Sequence, residues 1–200
     1  SNFYRIKYFQ KKDNETGGGI NNKSGIRIGK AETEVDASAA EVLAWRWDWC
    51  GNDKRQVHRE DRKSISRFVL KEISANESIV ATTKKLPLPF YNREFIVRTV
   101  WSGPADDGSY LFCWESFDKS LVAIRSIRAD SRGYVRMIPL GSPLRSKFII
   151  VQRLDPGGNL PAWVSNMKIK DSLSTPAELH RTFDRDEEID AVESTRLIRL

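Results

Sequence analysis

The side chains able to do covalent or metal chemistry are few. Cys50, Cys113, His58 and His180 are all the thiols and imidazoles in the 200 residues. The cysteines are too far apart for a metal knuckle and too few for a disulfide framework, so neither a metal nor a cofactor is expected. A nucleophilic thiol needs a base within hydrogen-bond reach. Cys113 has Trp114 and Glu115 beside it and no histidine, and reads as an inert, half-buried thiol. His58 stands in a polar connector with Arg59 and Glu60, and His180 in a terminal helical segment. No catalytic residue is assigned on this pattern, and the chain is not expected to be an enzyme. Neither G-x-x-x-x-G-K-[ST] nor G-x-G-x-x-G occurs, and Gly157-Gly158 reads as a turn rather than a phosphate loop.

The charge balance invites non-covalent partners instead. With 33 Lys+Arg against 27 Asp+Glu, the net charge of +6 suits nucleic acid, an anionic membrane surface, or plain solubility. Arg125, Arg128, Arg132 and Arg136 recur in one stretch, but Asp130 interrupts them and no nucleic-acid module surrounds them. A solvated strand is the first reading of this stretch, contact with an anionic membrane the second, and nucleic acid is not expected. The apolar runs, such as Phe148–Val151, are strand-sized, and Ser1–Tyr4 carries no charged-then-apolar leader. A reducing, cytoplasmic setting follows as the expectation, and the sequons at Asn14, Asn22 and Asn76 are taken as accidental.

The elements that would position any site alternate in character. Residues 3–11 and 26–35 have strand composition, and Ser38 and Glu41 form a capping box ahead of a short helix over residues 39–48. On that helix Trp45 and Trp49 would share one face and Trp47 the other. Four strand-like runs follow at 65–73, 77–86, 94–101 and 110–117, an antiparallel meander, and two more at 133–140 and 144–154. Beyond Asp155-Pro156-Gly157-Gly158-Asn159 the pattern turns helical, with Asn159 as N-cap and Pro176 kinking or restarting the helix. Residues 184–200 form a charge-dense, solvated tail. The economical architecture is one α+β domain over residues 1–200. Alternation puts Phe95, Val97, Thr99 and Trp101 on one face of their strand, and Tyr110, Phe112 and Trp114 make a second aromatic row. Such faces enclose either a packed core or a ligand cavity, and periodicity does not separate the two.

Two segments carry more specific information. Leu86-Pro87-Leu88-Pro89-Phe90-Tyr91-Asn92-Arg93-Glu94-Phe95 resembles the P-x-P-x-x-x-R-[DE]-[FY] passage of START lipid-transfer domains. Asp155-Pro156-Gly157-Gly158-Asn159-Leu160-Pro161-Ala162-Trp163-Val164-Ser165-Asn166 is similar to the passage leading that family's last strand into its C-terminal helix. With the similarity of residues 35–48 to the family's strand-to-helix stretch, the resemblance covers about residues 25–183, although the family's N-terminal helix is not evident.

The resemblance implies a helix-grip fold, in which a curved antiparallel sheet around a long C-terminal helix encloses a hydrophobic tunnel. It implies a monomer that binds one lipid and transfers it between membranes as a peripheral membrane protein. A lipid sensor or recruitment module within a larger protein is the alternative, with a helix-grip enzyme behind it. The expected cavity lining is Phe95, Val97, Thr99, Trp101, Phe112, Trp114 and Met167. The lid and membrane contact would be Leu86, Pro87, Leu88, Pro89, Phe90 and Tyr91, where two prolines remove backbone donors and keep the segment out of the strand ladder. Many relatives place an arginine four residues beyond the motif's aromatic, pointing into the tunnel. Here that position is Thr99. A hydroxyl there favours a sterol-like or other neutral lipid over a phospholipid.

Overall fold

A computed structural model describes residues 7–12, 27–51, 64–117, 126–141, 144–158, 160–161, 163–164, 173–185, 191, 194–195 and 198. The strands are β1 Lys7–Lys12, β2 Arg27–Val35, β3 Ser64–Ser74, β4 Glu77–Lys84, β5 Asn92–Ser102, β6 Tyr110–Ser116, β7 Ser126–Arg128, β8 Asp130–Pro139 and β9 Ser146–Asp155, with helices α1 Ala39–Trp47 and α2 Thr175–Thr182. The sheet order is β1-β2-β9-β8-β6-β5-β4-β3, every neighbour antiparallel, so the large antiparallel sheet of the α+β expectation is present, while of the expected long C-terminal helix the described residues hold only the short α2 and a helical stretch at 163–164. One element departs from the meander. β7 pairs with β5 in parallel, Asn92 opposite Ser126 and Glu94 opposite Arg128, a strand too short and polar to register as periodicity.

The capping box forms as its residue types require. Ser38 N–H donates to Glu41 Oε2 at 2.8 Å, and Glu41 N–H donates to Ser38 Oγ at 3.2 Å. This fixes the start of α1, whose Ala39, Val42 and Leu43 are buried toward β6 and β8. The helix ends at Trp47, so Trp49 lies beyond it and the i, i+4 face shared with Trp45 does not exist. Trp47 meets Phe112 edge-on at 6.3 Å between ring centres.

α2 opens at Thr175 with Pro176 in its first turn, where a missing N–H is harmless. Leu179 on this helix is fully buried, and His180 Nε2 lies 2.8 Å from Thr33 Oγ1 on β2. Upstream, Trp163 and Val164 are helical, while the expected N-cap Asn159 and residues 165–172 lie outside the described residues. So do His58 and Arg125. In the tail, Ala191, Ser194, Thr195 and Ile198 are helical and exposed.

The interior is solid on one side. Phe112, Val135, Met137, Phe148 and Ile150 of β6, β8 and β9 pack with Val42 and Leu43 of α1 and with Leu179. Within this layer Gly133 of β8 stands opposite Trp114. A Cβ there would lie 2.3 Å from Val151 O and 2.6 Å from the indole, so the ring occupies the space a side chain would need. Gly133→Ala is expected to destabilise the protein by about 1–3 kcal/mol through overpacking, read as a lower denaturation midpoint. An unchanged midpoint would mean that the indole does not rest on this glycine.

The basic stretch is divided in role. Arg128 is half-buried with its Nη2 3.2 Å from Glu94 Oε2, joining β7 to β5. Arg136 pairs in the open with Asp107, and Arg132 is exposed.

Candidate functional site

Opposite the solid layer, β3, β4 and β5 face a cavity of about 320 Å³. Its walls draw on residues from β3, β4, β5, β6, β8 and β9, the end of α1 and the start of α2, so the sheet wraps around it. Val80, Phe95, Val97, Ile150 and Leu154 supply an apolar surface. Several polar side chains among them are partnered within the protein. Ser78 Oγ and Thr99 Oγ1 are 2.9 Å apart, while Ser131 Oγ accepts from Trp114 Nε1 at 2.9 Å and from Gln152 Nε2 at 3.0 Å.

One end is different. Arg46 lines the cavity and Arg67, 3% exposed, stands beside it. Both guanidiniums lie over the Trp49 ring, Arg67 at 3.5 Å and Arg46 at 4.3 Å from its centre. Burial lowers the pKa of Arg46 to about 10 and that of Arg67 to about 9, with Glu178 pulling in the other direction. Both remain cations at neutral pH.

The loop between β4 and β5 closes another side. Leu86 is buried with Leu160 and Val164, and Phe90 packs on this cluster and meets Trp163 at 6.4 Å. Leu88 is 93% exposed, Tyr91 61% and Trp163 60%, an apolar tip projecting from the surface. Arg93 fastens the base of this loop. Its Nη1 donates to Tyr91 O, its Nε to Pro156 O, and its Nη2 to Gly157 O at 3.2 Å. Burial holds its pKa below the ordinary arginine value. Gly157 has φ +64°, and a Cβ there would come within 2.5 Å of Arg128 O, so the turn that presents its carbonyl requires glycine.

No protein-family model matches this sequence, and no curated protein sequence does. Solved structures do match the fold. Human StAR-related lipid transfer protein 5 superposes with a TM-score of 0.68 at 14% identity, over 91% of this chain and 83% of that one. The human StarD13 (DLC2) lipid transfer and protein localization domain gives 0.66 at 19% identity, over 92% and 86%. A STAR-related lipid transfer protein fragment from Xanthomonas axonopodis gives 0.65 at 18% identity, over 88% and 89%.

The fold is START-like.

Within the START-like fold, Phe95, Val97, Thr99, Phe112 and Trp114 line the cavity. Trp101, expected beside them, does not. It sits opposite Phe112 in the β5–β6 register and packs against the solid core. Met167 lies outside the described residues. In the START-like loop, Leu86 belongs to the cavity wall and to a buried cluster, so it anchors the loop and is not a surface contact. Pro87, Leu88, Pro89 and Tyr91 are exposed, and Phe90 is half-buried. Cys113 points away from the lining, with its thiol pKa pushed up by burial.

Arg46 and Arg67 are the functional candidates that motif reading misses. A signal was present. Ala39, Val42, Leu43 and Arg46 fall at the spacing of one helical face, whereas Arg67 stands on β3 among the exposed Ile65, Phe68, Val69 and Leu70, past a register shift, so the pattern points to Arg46 alone. An arginine inside an apolar stripe marks a buried cation.

Proposed function

We propose that this chain binds one hydrophobic lipid in the cavity and carries it between membranes without covalent chemistry, working at the membrane surface. The observation that carries this reading is the partly open, largely apolar hollow beside an exposed apolar tip at Leu88, Tyr91 and Trp163. Burying apolar ligand surface is worth roughly 25 cal/mol per Å², so a few hundred Å² supplies several kcal/mol for uptake. The loop bearing the tip also contributes Leu86 to the cavity wall, so insertion of the tip into a bilayer is coupled to the wall that retains the lipid. Among the described residues no helix is long and apolar enough to cross a membrane.

The preference for a sterol-like or neutral lipid rests on Thr99 standing where relatives carry arginine. Arg46 and Arg67 bring guanidiniums to the cavity region from other elements, which removes that premise.

Vesicle-to-vesicle transfer of a fluorescent lipid tests the reading, with Leu88→Asp as the discriminating variant. Because Leu88 is 93% exposed, folding stability should change by no more than about 0.5 kcal/mol. Transfer should slow by roughly tenfold or more, the loss of one membrane-buried leucine. Lipid that binds but never moves between vesicles would replace transfer with sensing, and an unaffected rate would remove the tip from the mechanism.

A further inference from the structure

We propose that the cavity takes an amphiphile with one hydrocarbon chain and an anionic head, whose carboxylate or phosphate oxygens accept hydrogen bonds from Arg46 and Arg67. This rests on reading the cavity as a lipid site and narrows the class of lipid. Among the described residues, Arg46 Nε and Arg67 Nε and Nη2 are buried with no hydrogen-bond partner. Among the described residues the one oxygen that Arg67 reaches is Trp49 O, 3.4 Å from Nη1. Buried charges in proteins are paired, because an ion taken out of water without a counter-ion strongly destabilises the fold.

The surroundings hold these cations without neutralising them. Trp49 lies under both guanidiniums, and Phe112 and Trp114 lie 4.7 and 5.5 Å from that of Arg46. Such contacts offset part of the desolvation but offer no oxygen to the N–H donors. Two acidic groups act on both, Glu178 and, more weakly, the Cys50 thiol; Glu178 accepts from Ser174 Oγ at 3.1 Å and forms no ion pair with either arginine among the described residues, and a neutral thiol supplies no counter-charge. Asp48 and Glu72 also line the cavity but are solvent-exposed. Two cations against one carboxylate leave a deficit of one negative charge, and Arg46 presents it to the hollow. A planar guanidinium fork matches the geometry of a carboxylate or phosphate.

Size limits the rest of the molecule. A volume of about 320 Å³ stands at the low end of ligand cavities, which run from roughly 300 to 1,000 Å³. One chain along Val80, Phe95, Val97 and Ile150 suits it better than two.

The test is titration of delipidated protein with palmitate and with palmityl alcohol, which share a chain and differ in the head, followed by tryptophan emission and calorimetry. Wild type should bind palmitate at least about tenfold more tightly than the alcohol, the worth of a charge-assisted hydrogen bond. Arg46→Met and Arg67→Met should each collapse that ratio toward one. Removing a buried unpaired cation should also raise the melting temperature of ligand-free Arg67→Met, whereas an arginine serving only to hold the fold would lower it. Inorganic phosphate at millimolar concentration should not displace palmitate, and displacement would assign the arginines to a free anion and overturn the amphiphile. Equal affinity for palmitate and alcohol in wild type would overturn the anionic head while leaving the lipid-binding reading intact. Failure of both to bind would overturn the lipid-binding reading itself.

Discussion

Val97→Trp is expected to abolish lipid uptake while leaving the protein folded and as stable as wild type or more so. Val97 stands mid-strand on β5 with Phe95 and Thr99 as its neighbours on the cavity face. Val97 touches the solid layer as well as lining the 320 Å³ hollow, and an indole at this position has the hollow to extend into, so part of the usual penalty for overpacking is avoided. Filling space of this kind stabilises proteins by about 0.5–2 kcal/mol. Binding should fall by roughly 100-fold or more, since the ring occupies the surface from which several kcal/mol of apolar burial would come. Native mass spectrometry of the purified variant should show empty protein, and its melting temperature should not drop. If a lipid still co-purifies, or if stability falls as it does when a close-packed core is overfilled, there is no hollow at Val97 for a guest to use.

The contrast between this position and Gly133 shows why the sequence left core and cavity undecided. Both faces of the interior are built from the same alternation. Phe112 and Trp114 continue the aromatic row that Phe95 begins, yet Trp101, one of that row by periodicity, belongs to the solid layer. Alternation reports which side of a strand a residue faces, whereas whether something packs against it depends on where α1 and α2 end. α1 stops at Trp47, short of the cavity's far side, and the residues after it bring Trp49 and Cys50 to the lining. That stop was only approximately readable, and the small difference moved Trp49 from a helix face to a position beneath two guanidiniums.

The strand set was largely legible because its runs are long and rich in β-branched and aromatic residues. β7 was not, since Ser126–Arg128 owes its place to pairing with β5 and to the Arg128–Glu94 contact, both long-range in sequence. Arg46 and Arg67 escape notice for a related reason. Charged residues are read as solvent-facing by default, and the clue that Arg46 is not lies in the apolar positions around it. Thr99, by contrast, draws attention through its departure from the family's pattern, and the lipid preference built on it neglects arginines arriving from α1 and β3.

The two motifs that carry the family resemblance turn out to be one structural unit, and Arg93 is the joint. It belongs to the first motif, and two of the carbonyls it binds, Pro156 O and Gly157 O, belong to the second. Its other acceptors, Tyr91 O and, at 3.4 Å, Asn92 O, lie at the base of the loop that carries the exposed tip. The guanidinium is buried, 3% exposed, with no carboxylate among these acceptors, so its charge is dispersed over backbone dipoles. Arg93→Met fills a similar volume but removes every donor, leaving those carbonyls unsatisfied at a buried junction. Hydrogen bonds to a charged group contribute about 1.5–3 kcal/mol each and are not additive here, so a loss of about 3–5 kcal/mol in unfolding free energy is expected by denaturant titration. Arg93→Lys keeps the charge but cannot reach all of those carbonyls in fixed directions, and should recover only part of it. Limited proteolysis should then cut first within residues 86–91, because the loop has lost its tie to the turn that follows β9. If Arg93→Met unfolds within about 0.5 kcal/mol of wild type, the loop and the turn are held by Leu86, Leu160 and Val164 alone, and the joint is elsewhere.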